Sequence, residues 1–293
     1  MRPADLARLV ALGALWGASY LFMRYAVPSM GPVLMIEVRV AIAGLVLLAF
    51  VHATGGTIGW KRHWRAYLFV GAVGVAAPFT LIAQAVTVID ASTAAVLNAL
   101  APLFASIVAA VWIREPLTTA KMGGIALCLA GTGVLVGWQP VPVTSRVILA
   151  ASLSVAATAL YGYTIVFTKV RLREANPLGT AAGTLLMAAA AMLPFTPVTR
   201  DFAAIPAGAW IATVGLALLS TAVAFILYYR LIADIGPVKA ITVTLLVPVF
   251  GMLWGVMLLG EPLSAGRIAG CAIILAGCAL ILGIVRLPAR ATT

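Results

Sequence analysis

Two stripes of rings and hydroxyls carry the polar side chains that could do chemistry in this chain. Trp16, Ser19, Tyr20 and Met23 fall at i, i+3, i+4 and i+7, one face of a helix. Tyr161, Thr164 and Thr168 fall at the same spacing. Around them stand Thr80, Gln84 and Thr87, then Thr221, Phe225 and Tyr228, and the isolated Asn98, Thr244 and Trp254. These groups hold a ligand by stacking and hydrogen bonding; none is a nucleophile poised beside a base. The plainer reading of such a stripe is packing or contact with lipid. The hydroxyls and amides among the rings favour a binding cavity, since polar groups in an apolar span normally face one.

Two prolines sharpen the pattern. A proline inside a helix leaves the carbonyl four residues earlier without a partner. Pro102 thereby frees the carbonyl of Asn98, and Pro248 that of Thr244. Both central helices are expected to kink where a polar side chain and a bare carbonyl meet. Such backbone is tolerated at membrane depth beside protein or a water-filled cavity. The alternative is a structural kink whose side chain bonds its own helix.

Catalysis has little to work with. His52 and His63 are the two histidines, and neither belongs to an HExxH or to a Ser–His–Asp arrangement. Cys128, Cys271 and Cys278 lack metal-ligand spacing and read as small packing residues. No GxxxxGK[ST] loop is written for ATP. No catalytic residue, metal or cofactor is expected, and no enzyme. Glu37 and Arg39 lie five and seven residues into an apolar run and, two apart, cannot share a helix face. Arg39 therefore needs another anion: Asp90 or Glu261 in a structural ion pair, or a substrate carboxylate. Arg24 and Lys169, near span ends, can reach the interface by themselves.

The elements that position these residues must be membrane helices. Of 293 residues, 63% are hydrophobic and 9% charged, with mean hydropathy +1.13. A water-facing surface needs about a quarter of its residues charged. Ten apolar runs follow, near 6–27, 32–53, 66–88, 93–113, 120–138, 146–169, 178–198, 209–231, 238–258 and 266–286. They are continuous rather than alternating, which disfavours a barrel. The first is too long for a signal-peptide core and is read as retained. The net charge of +11 marks topology and not nucleic acid. With the N-terminus in the cytoplasm, 14 Lys and Arg fall at cytoplasmic ends and 4, namely Arg24, Arg146, Arg200 and Arg267, at outer ends, leaving Arg39 inside a helix. The positive-inside rule then puts both termini in the cytoplasm.

The chain also repeats itself. "WIREPLTTAKMGG" at 112–124 returns as "LLGEPLSAGRIAG" at 258–270, an offset of 146 residues. At that offset Phe79 meets Phe225, Pro102 meets Pro248, Glu115 meets Glu261, Gly124 meets Gly270 and Gly131 meets Gly277. At 145, Trp16-Gly17 meets Tyr161-Gly162 and Ser19 meets Thr164. Five spans per copy is odd, so the second copy would enter the membrane from the opposite side. The expected fold is all-α, ten transmembrane helices as two inverted five-helix repeats over 1–140 and 141–293, with a site between them. The fifth and tenth spans, rich in glycine, are expected to pack peripherally.

"LWGASYLFMRYAV", Arg39 and "ASTAAVLNALAPLFASIVAAVWIREPLT" with its second-half twin resemble EamA-type members of the drug/metabolite transporter superfamily. Within it the likeness is to YddG-like aromatic amino-acid exporters. The resemblance implies ten helices and export of small metabolites from the inner membrane. The second copy departs from the pattern: Tyr161 replaces Trp, and Thr184 stands where Arg39 would be matched. The expected function is a secondary transporter, working as a monomer among membrane lipids. It would export small amphipathic solutes, amino acids with aromatic ones favoured, by alternating access. Other metabolites or drugs, and facilitation without coupling, remain alternatives. An intramembrane enzyme and a sensor, which would want an output domain, are the rivals from other classes.

Overall fold

The computed structural model describes residues 2–137, 144–196 and 201–284. Arg200, Arg286, Arg290 and the 140/141 boundary lie outside the described residues, as do the far ends of the runs expected to reach 138, 198 and 286.

Ten apolar helical spans follow one another among the described residues: α1 (Pro3–Met30), α2 (Pro32–Ala53), α3 (Trp60–Ala85), α4 (Ala91–Trp112), α5 (Thr119–Gly137), α6 (Ser145–Arg171), α7 (Pro177–Phe195), α8 (Ala207–Ile235), α9 (Val243–Leu259) and α10 (Ala265–Ile281). No strand occurs among these residues. The first eight are long and apolar enough to cross a bilayer, while α9 and α10 have 17 residues each. At 1.5 Å per residue such a helix spans about 25 Å, a few ångström short of a hydrocarbon core near 30 Å and at the lower end of the range for spanning helices.

Short connections force neighbours to run antiparallel, so every corner lies at one of two ends. Glu115 and Glu261 mark opposite ends. Their corners share one backbone design. The residue before each is left-handed, Arg114 at φ 54° and Gly260 at φ 66°. Each glutamate N–H returns to the carbonyl six residues back, Glu115 to Ala109 and Glu261 to Gly255. Glycine takes that φ freely, whereas arginine adopts it at a cost of roughly 1 kcal/mol.

The glycines set how closely helices meet, and their contacts recur at the sequence offset. A Cβ on Gly17 would strike the Phe250 backbone and side chain and the Gly251 nitrogen; one on Gly162 would strike Phe104 and the Ala105 nitrogen in the same way. So α1 crosses α9 as α6 crosses α4. Between α5 and α10, Gly124 faces the Gly277 carbonyl and Gly277 the Gly124 carbonyl, each at 2.6 Å from the absent Cβ. Gly131 meets the Gly270 carbonyl at 3.0 Å. This small-residue seam matches the expected packing role of the two helices.

One feature was not anticipated, and one expected kink proves to be a full break. α3 and α8 each contain a π-helical turn, at Ala72–Ala76 and Leu218–Val223, beginning 146 residues apart. And α4 is two helices, Ala91–Asn98 and Ala101–Trp112, joined by tight turns in which Ala99 and Leu100 N–H groups reach back three residues to Val96 and Leu97. The break falls where Pro102 forbids a bond to Asn98. Pro248 behaves differently. It lies inside α9, and the irregular turns come earlier, at Thr242 to Leu245, after the single turn Pro237–Ala240.

Candidate functional site

The two aromatic stripes are built into matching frames. Trp16 on α1 meets Phe225 on α8 edge-on at 6.4 Å, and Tyr161 on α6 meets Phe79 on α3 edge-on at 6.2 Å. Tyr228 adds a third ring 5.3 Å from Trp16, and Tyr229 stacks on Phe225. The π-helical turns explain the placement: the extra residue shifts the register of α3 and α8 just before Phe79 and Phe225.

Arg39 enters this frame from α2. It is 4% exposed. Its Nε donates to Thr221 Oγ1 at 3.0 Å, and its Cζ stands 3.9 Å over the Phe79 ring. Thr221 lies in the α8 π-turn and donates in turn to the Leu216 carbonyl five residues back. Tyr20 and Tyr161 lie near enough to interact with the guanidinium charge. The ion pair with Asp90 or Glu261 considered from sequence does not form. Asp90 pairs with Arg267. Glu261 accepts from the Ala91 N–H at 2.8 Å, the Ser92 N–H at 3.0 Å and the Ser92 hydroxyl.

The remaining carboxylates are engaged as well. Glu37 accepts from Thr196. Asp5 holds Arg2 and Arg8, and Asp234 holds Arg8 at 2.6 Å. Glu174 pairs with Arg62, Asp201 caps the Ala203 N–H, and Glu115 takes Lys121 at 2.7 Å and Lys169 at 3.5 Å. All eight acidic side chains of the sequence are thus occupied away from Arg39. Arg24 and Lys169 are not free at the interface either: Arg24 donates to the Val86 carbonyl at the end of α3.

Several other expected site residues spend their polar atoms locally. Thr80 donates to the Ala76 carbonyl, Thr164 to Leu160 and Tyr161, and Thr244 to Ile241 at 2.8 Å. For Thr244 this is the structural alternative. Thr164 also packs into the space left by Gly74. Trp254 donates its indole N–H to the Ala14 carbonyl at 3.0 Å, tying α9 to α1. Gln84 is exposed, beyond the frame, and Ser19 is buried on α1. Asn98 differs from these: its Oδ1 is buried without a hydrogen-bond partner at the break in α4. Beside it, Cys278 on α10 donates its thiol to the Ala99 carbonyl at 3.0 Å, so this cysteine is more than an apolar filler.

The two ends differ. At the Glu261 end, α4 packs along α9, with Ala95 against Gly251 and Ser92 against Gly255. Glu261 and Arg267 are 8% and 1% exposed there. At the Glu115 end, the second half of α4 makes no comparable contact with α9 among the described residues. Glu115 is 38% exposed, and its neighbours are lysines rather than a helix N-terminus. A basic cleft of about 450 Å³ between Arg62, His63, Arg171 and Arg173 also opens at that end. Phe79 and the π-turns were missed as site features, and Thr221, expected at the site, was not foreseen as the partner of Arg39. The one available signal was the alignment of Phe79 with Phe225.

Ten helices, polar groups gathered between them and two ends of unequal closure define a multi-pass membrane transporter fold. The model of the EamA-like transporter family matches residues 6–137 and again 148–283, and the chain belongs to that family. It is 27% identical to an uncharacterized transporter of Archaeoglobus fulgidus over 262 residues, covering 89% of this chain and 92% of that one. It is 30% identical to the inner membrane transporter YedA of Escherichia coli K12, over 87% and 83% of the two chains. A Streptantibioticus cattleyicolor protein named "Probable terminal-alkyne amino-acid exporter" is 26% identical over 93% of this chain and 91% of its own. A solved crystal structure superposes with TM-score 0.67 at 21% identity, over 96% of both chains, a likeness of fold alone.

Proposed function

We propose that this transporter exports small amphipathic metabolites, amino acids with aromatic side chains favoured. It does so by alternating access between two inverted five-helix halves, 1–140 and 141–293. The observation that carries the reading is the reciprocity of contacts at the sequence offset. Gly17 on Phe250 and Gly162 on Phe104, and Trp16 on Phe225 and Tyr161 on Phe79, are the pairs a two-fold relation between halves requires. Two such halves can exchange shapes at similar energy, which is what access from alternate sides needs.

The carboxylate corners fit this cycle. Glu261 caps the N-terminus of α4 and closes its own end, where a carboxylate satisfies orphan N–H groups and the helix dipole. Its twin Glu115 would cap the turn at 237–240 in the opposite state. Position 237 is proline, without an N–H, and position 238 is valine, without the hydroxyl of Ser92. The Glu115 latch is therefore the weaker, which biases the resting carrier to stand open at the Glu115 end. With the charge bias placing that end and both termini in the cytoplasm, this is the loading state of an exporter.

An aromatic frame with a single fixed charge suits a ring-bearing zwitterion better than a phosphorylated sugar, which would ask for several cations. The name of the Streptantibioticus relative agrees with amino-acid export. The test is uptake of unmodified labelled amino acids into liposomes holding purified protein, with competition by a solute panel, with and without a pH gradient. Saturable uptake of phenylalanine, competed best by other aromatic amino acids, is expected. Uptake confined to solutes without a ring would remove the aromatic preference, and a chemically altered solute would point to an enzyme.

A further inference from the structure

We infer that Arg39 is the anchor for a carboxylate on the transported solute, an assignment that rests on the transport reading and narrows it to amphipathic carboxylates. A guanidinium buried in a membrane protein is normally paired, because an uncompensated charge in a low dielectric is costly. This one is 4% exposed, and all eight acidic side chains of the chain are committed elsewhere. The protein supplies it with one ring, Phe79, against a face, and one hydroxyl, Thr221, at Nε. Its two terminal nitrogens bond no described protein group. Those nitrogens form the edge that takes a carboxylate through two parallel hydrogen bonds.

The position is singular as well as unpaired. In the aromatic frame the halves match, Trp16 with Tyr161 and Phe79 with Phe225. Arg39 and Thr221 break the match together. Arg39 is answered by Thr184, whose hydroxyl bonds its own helix at the Thr180 carbonyl, and Thr221 is answered by Val75. These two residues touch each other, and neither has a counterpart of its kind in the other half. An aromatic frame holding one off-centre cation binds one carboxylate and gives the solute a single orientation, with its apolar part toward the rings. Binding would also give Arg39 the counter-charge that the chain withholds.

The test uses the full-length protein in detergent, with phenylacetate and phenylacetamide as probes of nearly equal shape and different charge. Phenylacetate is expected to raise the melting temperature in a saturable way, at concentrations at least about ten-fold lower than phenylacetamide requires, the margin a charge-assisted bond supplies. Arg39→Gln is expected to abolish that difference and Arg39→Lys to keep part of it. Equal or absent shifts with both probes in the unaltered protein would overturn the inference. That comparison needs no variant, so it stands even if Arg39→Gln does not fold. An undiminished preference for phenylacetate in a folded Arg39→Gln protein would overturn it too. Liposome uptake separates this from the function: carboxylate-selective binding without uptake sinks transport and keeps the anchor, and uptake without that selectivity does the reverse.

Discussion

At the residue scale, polar groups that look alike in the sequence divide by where their bonds go. Asn98 Oδ1 is buried and unpartnered, whereas the Thr244 hydroxyl already bonds the Ile241 carbonyl. Removing an unsatisfied acceptor costs little stability. Asn98→Ala should therefore melt within a degree or two of the unaltered protein and yet lose several-fold in uptake per monodisperse molecule, if the amide serves the solute. A lowered melt with intact turnover would leave Asn98 a structural hinge. Thr244→Val, at the equivalent position, should change neither much. For the rings, Trp16→Ala or Tyr161→Ala should raise the KM for aromatic amino acids roughly three- to ten-fold, the range a lost ring pair allows, and that for alanine less. Equal changes for all solutes would reduce both to packing. The stripes and the Asn98 break were legible in the sequence, because spacing on one helix fixes a face and a proline fixes where a helix must break; the ring pairs between helices were not. The setting of Arg39 was not, because it depends on Thr221, 182 residues away, on a turn no local pattern announces.

At the element scale, the glycine seam between α5 and α10 leaves no room for a side chain. A Cβ on Gly124 would lie 2.6 Å from the Gly277 carbonyl, which is backbone and cannot swing aside. Gly124→Val should destabilise the protein by about 1–3 kcal/mol, read as a lower melting temperature. Gly123→Val, one residue earlier and facing open space, should not. The corner at Glu115 carries a pH signature. Its carboxyl is held below the usual carboxylate range, mainly by the hydrogen bond from Lys121, against a desolvation that pushes it up. A depressed acid stabilises the fold above its unfolded value and ceases to as pH falls through its lower folded value. Melting curves of the unaltered protein and Glu115→Gln should thus differ slightly at neutral pH, since the group is well exposed, and converge as pH falls below the usual carboxylate range. Divergence on acidification would contradict that sign. The ten spans were readable from composition and punctuation. The π-turns in α3 and α8 were not, since one extra residue per turn leaves hydropathy unchanged.

At the scale of the whole molecule, the unequal ends are the feature on which the functional account turns. The repeat was visible as a run of identities, but which end packs α4 against α9 could not be, because both corners are written with the same Glu-Pro-Leu. The difference lies in what each glutamate meets: the N–H groups and hydroxyl at Ala91–Ser92 for Glu261, lysines for Glu115. Orientation is checked in intact cells. Cysteine at Lys61 or Arg171 should resist membrane-impermeant thiol reagents and cysteine at Ser264 should react, and the reverse pattern would invert the topology. Alternating access itself is tested most directly by spin-label distances in liposomes between two exposed pairs, Val88 with Leu263 at the Glu261 end and Thr118 with Lys239 at the Glu115 end. Without solute, the first pair should be short and narrowly distributed and the second long. With a saturating transported amino acid, a population should appear in which the first lengthens as the second shortens. Transport proceeding while both distances stay fixed, or change in the same sense, would contradict the account.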